Sequence, residues 1–237
     1  MDINKIKQIK QKIQEDKEIA LQKVINLIAN DVTIKSPSDL HIRGNLNCGE
    51  NVVFDVNVII EGDVIIADNV TIGANCILKN CNIGKGTVIN PFSLVDDSVI
   101  GENCIIGPYG RIRPDVKIGN NVQIGNFVEL KNSIINSKSR INHLAFIGDS
   151  DLAEGVTIGA GTITCNHDGN KINRTVIDRG AYVGSGCNLV APLMIHANAT
   201  IASGSTITEK VPTNTLTIAR SRQVIIENWK GPKSATE

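Results

Sequence analysis

Aliphatic residues recur at every sixth position over most of the chain, and this spacing restricts the fold more than any other feature. Three separate runs keep the same interval: Ile42 to Ile72, Ile106 to Leu130 and Ile177 to Ile207. A period of six is typical of a parallel β-helix, in which each unit is a short strand and a turn with one aliphatic side chain pointing inward. Three units close a triangular coil, and stacked coils build ladders of like side chains.

Residues 42–207 have room for roughly nine coils of about 18 residues each. Aromatic residues make up only 3% of the chain, so Ile, Val, Leu, Ala and Cys must fill the core in narrow, regular layers. The sequence therefore predicts an all-β fold, a parallel β-helix of hexapeptide repeats.

Three segments are predicted: an N-terminal helix at 1–30, the β-helix at 31–208 and an irregular C-terminal tail at 209–237. In the first, apolar residues recur every three or four positions among Lys, Gln and Glu, which is typical of an amphipathic helix. We expect this helix to pack on the end of the β-helix, with a coiled-coil or partner-docking role as the alternative. The tail loses the period of six.

The period is interrupted at two places, and these indicate where function is concentrated. The repeats become irregular around residues 139–148. Residues 165–175, CNHDGNKINRT, are polar and rich in turn formers, which predicts a loop extruded from the stack. Insertions that leave the core of such a fold intact tend to lie on its binding face.

Charge and cysteine usage narrow the class of partner and the compartment. The chain has 24 basic and 24 acidic residues, and this balance argues against a nucleic-acid or anionic-membrane surface. No apolar run approaches the roughly 20 residues of a membrane span, and the charged N-terminus lacks the apolar core of a signal peptide. The six cysteines are scattered without a CxxC pair, so we expect reduced thiols, mostly buried, in a cytoplasmic protein.

Few residues suggest chemistry by their spacing alone. The four histidines have no paired metal-ligand spacing, and no GxSxG, Walker or GxGxxG motif is present, so no metal site is predicted. His143 lies in the irregular coil, and the spacing leaves a structural and a catalytic role both open. Arg113 and Lys131 belong to neighbouring coils, and cations beside a lone histidine would suit an anionic substrate that must lose a proton.

Five ordered motifs carry a specific resemblance: GPYGRIRP (107–114), GNFVELK (125–131), NHLAFIGD (142–149), TIGAGTITCNHDG (157–169) and VGSGCNLVAP (183–192). They closely resemble the C-terminal acetyltransferase domain of the bacterial bifunctional N-acetylglucosamine-1-phosphate uridylyltransferase/glucosamine-1-phosphate N-acetyltransferases. The likeness extends over essentially the whole chain, from the opening helix to NWKGP near its end.

The resemblance implies a left-handed β-helix and a homotrimer with active sites between subunits. It implies acetyl transfer from acetyl-CoA, without a metal, to glucosamine 1-phosphate for UDP-N-acetylglucosamine and cell-envelope synthesis. The family's uridylyltransferase domain has no counterpart here, so uridylyl transfer is not expected. Two alternatives stay open: a separate uridylyltransferase is a partner for the next step, or this chain serves a different pathway.

The resemblance also implies residue roles. The catalytic base is His143. Binding of the phosphorylated sugar falls to Arg113, Lys131 and Asn166, and binding of acetyl-CoA to Ala160, Ser185, Ser203 and Arg220.

Three substrate positions depart from the family. Phe146 replaces a tyrosine that would contact the phosphate, and Thr157 replaces an asparagine that would contact the sugar. The family's loop lysine aligns with Ile172, so Lys171 takes its place only after a one-residue shift. Losing one hydrogen bond to a charged group costs roughly 1.5–3 kcal/mol, so we expect weaker binding or an altered sugar preference. Two alternatives stay open: acetylation of another amino sugar or amine, and a noncatalytic trimeric scaffold that docks a uridylyltransferase through the N-terminal helix.

Overall fold

The computed structural model describes residues 3–231, which form one helix followed by a left-handed parallel β-helix of about ten turns. The helix, α1, spans Ile3–Ala29, and Val24 near its C-terminal end is its one buried residue within the described range. Lys23 Nζ donates to the Gly44 carbonyl at 3.1 Å, so α1 is anchored on the first coil by its last turns. No helix among these residues is both long and apolar enough to cross a membrane.

The coils stack so that strands of successive turns pair in parallel along three faces. The first face is an 11-stranded sheet. Its strands are Thr33–Ile34, Val53–Phe54, Thr71–Ile72, Val88–Ile89, Ile105–Ile106, Gln123–Ile124, Arg140–Ile141, Thr157–Ile158, Tyr182–Val183, Thr200–Ile201 and Leu216–Thr217.

The other two faces form one 17-stranded sheet, because two long strands, Leu40–Cys48 and Val58–Ile66, run through both without a break. A short 3-10 helix, Pro37–Asp39, precedes them. The second face continues with Ile77–Lys79, Leu94–Asp96, Arg111–Ile112, Glu129–Lys131, Phe146–Gly148, Ile163–Cys165, Asn188–Val190 and Thr206–Ile207. The third face continues with Asn82–Ile83, Ser98–Ile100, Val116–Ile118, Ile134–Ile135, Ser150–Leu152, Thr175–Ile177 and Leu193–Ile195.

The core consists of the predicted ladders of aliphatic side chains. On the first face, buried residues stack from Phe54 to Ile201 and are almost all isoleucine or valine. Burying each such side chain contributes about 1.5–3 kcal/mol. A second inward position at each corner takes a small residue, and four of the six cysteines are buried in the interior. This confirms that most cysteines serve as small buried hydrophobic residues.

The expectation of an irregular coil around residues 139–148 is wrong. Gln123 pairs with Arg140 and Arg140 with Thr157, so this coil has the ordinary parallel register with a repeat of 17 residues. The strict spacing of six fails there because each turn is one residue shorter, while its inward side chains, Ile141 and Ile147 among them, stay buried.

The second interruption is a true insertion. The second-face strand ends at Cys165 and the third-face strand begins at Thr175, and the chain between them leaves the stack at the corner of these faces. We call residues 166–174 the extruded loop, and its prediction is confirmed. After Ile207 the coils also continue, since Val211 bridges Ile195 and Leu216–Thr217 pairs with Thr200–Ile201.

Candidate active site

Outward side chains near the end of the second face form what we call the charge column. The register stacks Arg43 on Glu61, Glu61 on Lys79 and Lys79 on Asp96. Ion pairs join Arg43 to Glu61 at 3.0 Å and Lys79 to Asp96 at 3.1 Å. Signs therefore alternate over these four coils, and each cation is flanked by an anion at the coil spacing of about 4.8 Å.

The alternation ends at Arg113 and Lys131, which occupy the next two places in the charge column. The following place is Gly148, which has no side chain to separate them from the extruded loop. Two cations on adjacent coils repel each other, and an anion between them relieves that repulsion. The charge column thus changes from alternating signs to two adjacent cations, an arrangement that a phosphate group would stabilise.

Neighbouring carboxylates offset these two charges only in part. Arg113 Nη1 is 2.7 Å from Glu129 Oε1, and both side chains are about two fifths exposed. Lys131 Nζ is 3.7 Å from Asp149 Oδ2, whose side chain is only 4% exposed. A guanidinium has five N–H donors and an ammonium three, so donors on both cations are left for a ligand.

His143 lies at the corner between the first and second faces. Four consecutive first-face strands, from Arg140–Ile141 to Thr200–Ile201, pair in register. The position two residues after each strand is therefore a single line along the axis, which we call the corner column. It holds His143, Ala160, Ser185 and Ser203. Three residues from separate motifs, together with Ser203, thus lie in one line about 14 Å long.

The two ends of the corner column offer different chemistry. His143 is exposed, and within residues 3–231 its imidazole makes no hydrogen bond or ion pair, so it is available to a ligand. At the other end, Ser203 Oγ accepts from the Ser185 N–H at 3.2 Å. The Arg220 side chain reaches this end too, since its Cδ is 3.8 Å from where a Cβ on Gly204 would stand. A base, hydroxyl groups and a cation would suit an extended anionic ligand.

Phe146 and Asn166 meet above Gly148. A Cβ on Gly148 would lie 2.6 Å from the Phe146 ring and 2.9 Å from Asn166 Nδ2, so glycine is what allows this close approach. Asn166 donates from Nδ2 to Asp149. The structure therefore brings Lys131, Phe146 and Asn166 together around the buried Asp149 carboxylate.

Two predicted substrate-binding residues, Thr157 and Lys171, make no hydrogen bond or ion pair with the group around Asp149 within the described residues. Thr157 points outward from the first face, between Arg140 and Tyr182. Lys171 is exposed in the extruded loop, where its main-chain N–H donates to Asp168 at 2.9 Å. Their roles in the site remain predictions.

Three charged residues that line the site were not predicted from the sequence: Glu129, Asp149 and Arg174. Glu129 and Asp149 lie inside the recognised motifs, but the sequence does not show which side chains they pair with in the fold. Arg174 closes the extruded loop and pairs with Asp151 at 2.5 Å, across 23 residues of sequence. Such contacts depend on how the insertion folds back, which the period of six does not predict.

Comparison with known proteins supports the resemblance. Residues 97–132 match the bacterial transferase hexapeptide family (six repeats), and residues 42–113 match the GMPPB C-terminal domain. The bifunctional protein GlmU of Methylococcus capsulatus is 52% identical over 97 residues, which are 41% of this chain and 21% of the relative. GlmU of Methylobacillus flagellatus is 56% identical over 99 residues, 42% of this chain and 22% of the relative.

A solved structure, a UDP-N-acetylglucosamine acyltransferase from Bacteroides fragilis, is 18% identical and covers 78% of this chain and 69% of its own, with a TM-score of 0.32. That similarity carries no argument about function. The chain spans about a fifth of the length of the curated relatives it matches. It contains the bacterial transferase hexapeptide repeat and resembles the C-terminal domain of the bifunctional GlmU proteins.

Proposed function

We propose that the chain is an acetyl-CoA-dependent N-acetyltransferase that acts on the amine of glucosamine 1-phosphate. The stacking of Arg113 on Lys131 at one edge of the second face, with His143 one coil farther on at its other edge, carries this proposal. The two cations account for a phosphorylated substrate, and the imidazole accounts for an amine that must lose a proton. The identity of about half of the aligned residues with GlmU proteins supports acyl transfer.

The proposed reaction is direct transfer within a ternary complex. His143 removes a proton from the substrate amine, which then forms a C–N bond with the carbonyl carbon of the thioester. The C–S bond breaks, and the sulfur leaves as the thiolate of CoA and is protonated. The Ala160 N–H is proposed to stabilise the oxyanion that develops on the carbonyl oxygen.

The remaining side chains bind and orient the two substrates. Arg113 and Lys131 hold the phosphate, which fixes the sugar and directs its amine toward His143. Asn166 contacts the substrate near the amine. Acetyl-CoA is proposed to extend along the corner column, where Ser185, Ser203 and Arg220 contact it. No metal ion is needed in this scheme, because a histidine base and an N–H donor supply its proton transfer and charge stabilisation.

A homotrimer is proposed to complete each site, with Thr157 and Lys171 reaching a neighbouring subunit. An exposed aromatic stack supports self-association, because Tyr109 lies 4.9 Å from Phe92 and 4.8 Å from Phe127 between ring centroids. Each of these residues is about half exposed and has a left-handed backbone, with φ between 55° and 62°. Bulky residues rarely adopt this conformation, and exposed apolar surface of this kind is typical of interfaces.

The proposed product would feed UDP-N-acetylglucosamine and cell-envelope synthesis in the cytoplasm, with a separate uridylyltransferase for the next step. CoA thiol release from acetyl-CoA, measured with purified protein, tests the activity. We expect release with glucosamine 1-phosphate and far less with glucosamine. Release with other amines alone would favour a different acceptor, as the Phe146 substitution suggests, and release with none would favour the noncatalytic scaffold.

A further inference from the structure

The extruded loop is a structured unit rather than an open excursion of the chain. His167 and Ile172 form an antiparallel bridge, and the main-chain N–H of Asn173 donates to the main-chain carbonyl of Asn166 at 2.7 Å. The Asp168 carboxylate accepts from the N–H groups of Lys171 and Asn170, and these bonds lower its pKa to about 2. Because the loop closes on itself, its orientation depends on how its base is held.

Two carboxylates hold the two ends of that base: Asp149, at the bend between the second and third faces, and Asp151, in the third-face strand Ser150–Leu152. Asp149 accepts from Asn166, the first residue of the extruded loop. Asp151 accepts from Arg174, the last residue, through Nε at 2.6 Å and Nη2 at 2.5 Å. Asn132 links both ends, because its Nδ2 donates to Asp149 at 2.6 Å and its carbonyl accepts from Arg174 at 3.3 Å.

The Asp149 carboxylate also determines which way the Asn166 amide points. An ionised carboxylate only accepts hydrogen bonds, so Asn166 must present its NH₂ group to Asp149. The side-chain oxygen of Asn166, Oδ1, is then turned away from Asp149 and can accept a hydrogen bond from an N–H of a ligand. The same carboxylate lies 3.7 Å from the Lys131 ammonium, so one buried group contacts both a cation and an amide assigned to substrate binding.

We propose that Asp149 and Asp151 are positioning residues that clamp the extruded loop and present the side-chain Oδ1 of Asn166 to the substrate amine. This inference rests on the proposed function for the role of Asn166, but the clamp itself does not depend on it. Neither aspartate touches the reacting atoms. Both act through the residues that they hold.

Steady-state kinetics of Asp149→Asn tests the effect on the amide. An asparagine can donate as well as accept, so the Asn166 amide is no longer held in one orientation. We expect kcat to fall about ten- to a hundred-fold, because the amine is misplaced, with a nearly unchanged KM for glucosamine 1-phosphate, because Arg113 and Lys131 remain. Asp115→Asn, at an exposed turn of the same corner, is the matched control with wild-type kinetics. An unchanged kcat in Asp149→Asn would overturn the proposal.

Limited trypsin digestion tests the clamp without any assay of activity. Lys171 is exposed in the extruded loop, and cleavage after it, followed by mass spectrometry, reports how firmly the loop is held. We expect Asp151→Asn to be cleaved several-fold faster than wild type and Asp115→Asn at the wild-type rate. The exchange of charges in Asp151→Arg/Arg174→Asp should restore resistance. Wild-type cleavage rates in Asp151→Asn would overturn the clamp.

The two experiments separate this inference from the proposed function. If wild type releases no CoA with glucosamine 1-phosphate, the proposed function fails while digestion still decides whether the clamp exists. If Asp149→Asn does not fold, the half-exposed pair of Asp151 and Arg174 provides the same test through digestion and rescue.

Discussion

The charge column has two stretches that share one backbone and differ in their side chains. From Arg43 to Asp96 the signs alternate and neighbours form ion pairs, whereas Arg113 and Lys131 stack cation on cation and are followed by a glycine. The register is parallel throughout, so the coil geometry does not distinguish them. On the same backbone geometry, the side chains alone set the proposed binding coils apart, because only there, among the described coils, do two cations stack in the charge column.

The corner place also differs between the earlier coils and the coils from His143 onward. On the four coils before that of His143, the corner place two residues after the first-face strand holds Ala74, Pro91, Pro108 and Asn126, none of which can transfer a proton. His143, Ser185 and Ser203 occupy the same place farther along. Along these coils, the first residue at the corner place able to transfer a proton is therefore His143, one coil beyond Lys131 and at the opposite edge of the second face from the stacked cations.

The largest expected effect is the loss of the proposed base. His143→Ala should lower kcat for acetyl transfer about 10²- to 10⁴-fold, the usual contribution of general base catalysis. The side chain is exposed, so thermal unfolding should be unchanged. The matched control is His41→Ala, an exposed histidine on the first coils. Turnover of His143→Ala at the wild-type rate would remove the imidazole from the mechanism.

The next effect compares the two stretches of the charge column directly. Lys131→Met should raise KM for glucosamine 1-phosphate about ten- to a hundred-fold, the equivalent of losing one charged hydrogen bond. Lys79→Met removes a cation from the alternating stretch and should leave KM unchanged. Equal effects of the two substitutions, measured by steady-state kinetics, would mean that the column has no specialised stretch.

A smaller effect concerns the ring above Gly148. Phe146→Tyr adds the hydroxyl that the resembling family carries, and a new hydrogen bond to phosphate should lower KM by a few-fold to about ten-fold. Phe92→Tyr, on the exposed aromatic stack, is the control for a general effect of a hydroxyl. If KM is the same in both variants, the Phe146 ring does not border the phosphate.

The smallest effect is on stability. The ion pair of Arg43 and Glu61 is exposed, with the arginine side chain 62% accessible, so Arg43→Met should change the free energy of unfolding by less than about 1 kcal/mol. Urea denaturation measures this change, and Ile106→Ala in the core provides a destabilising reference of about 2–5 kcal/mol. A loss as large as that reference would show that alternating charges, as well as apolar ladders, hold the coils together.

Much of the fold follows from the sequence because the six-residue spacing of aliphatic residues reflects which side chains the coils must bury. One aliphatic side chain per six residues must point inward, which predicts the ladders, while the polar, turn-rich stretch that interrupts this spacing predicts the extruded loop. The coil at residues 139–148 was misjudged because some turns are one residue shorter, which alters the count without exposing Ile141 or Ile147. Counting strict intervals of six cannot detect a shortened turn.

The site was predictable only in part, for a different reason. Motif resemblance pointed to His143, Arg113 and Lys131, but their alignment in columns appears only when the register is known. The links from Asp149 to Asn166 and from Asp151 to Arg174 join residues 17 and 23 apart, across the point where the loop leaves the stack. No spacing rule anticipates contacts made by an insertion.

The central claim is that Arg113 and Lys131 select a phosphorylated amine. It is tested most directly by the ratio of kcat/KM for glucosamine 1-phosphate to that for glucosamine, in wild type and in Arg113→Gln/Lys131→Met. We predict a ratio of about 100 or more in wild type, from at least about 3 kcal/mol of charged hydrogen bonding, and a ratio near one in the double variant. A wild-type preference that survives unchanged in the double variant would contradict the account.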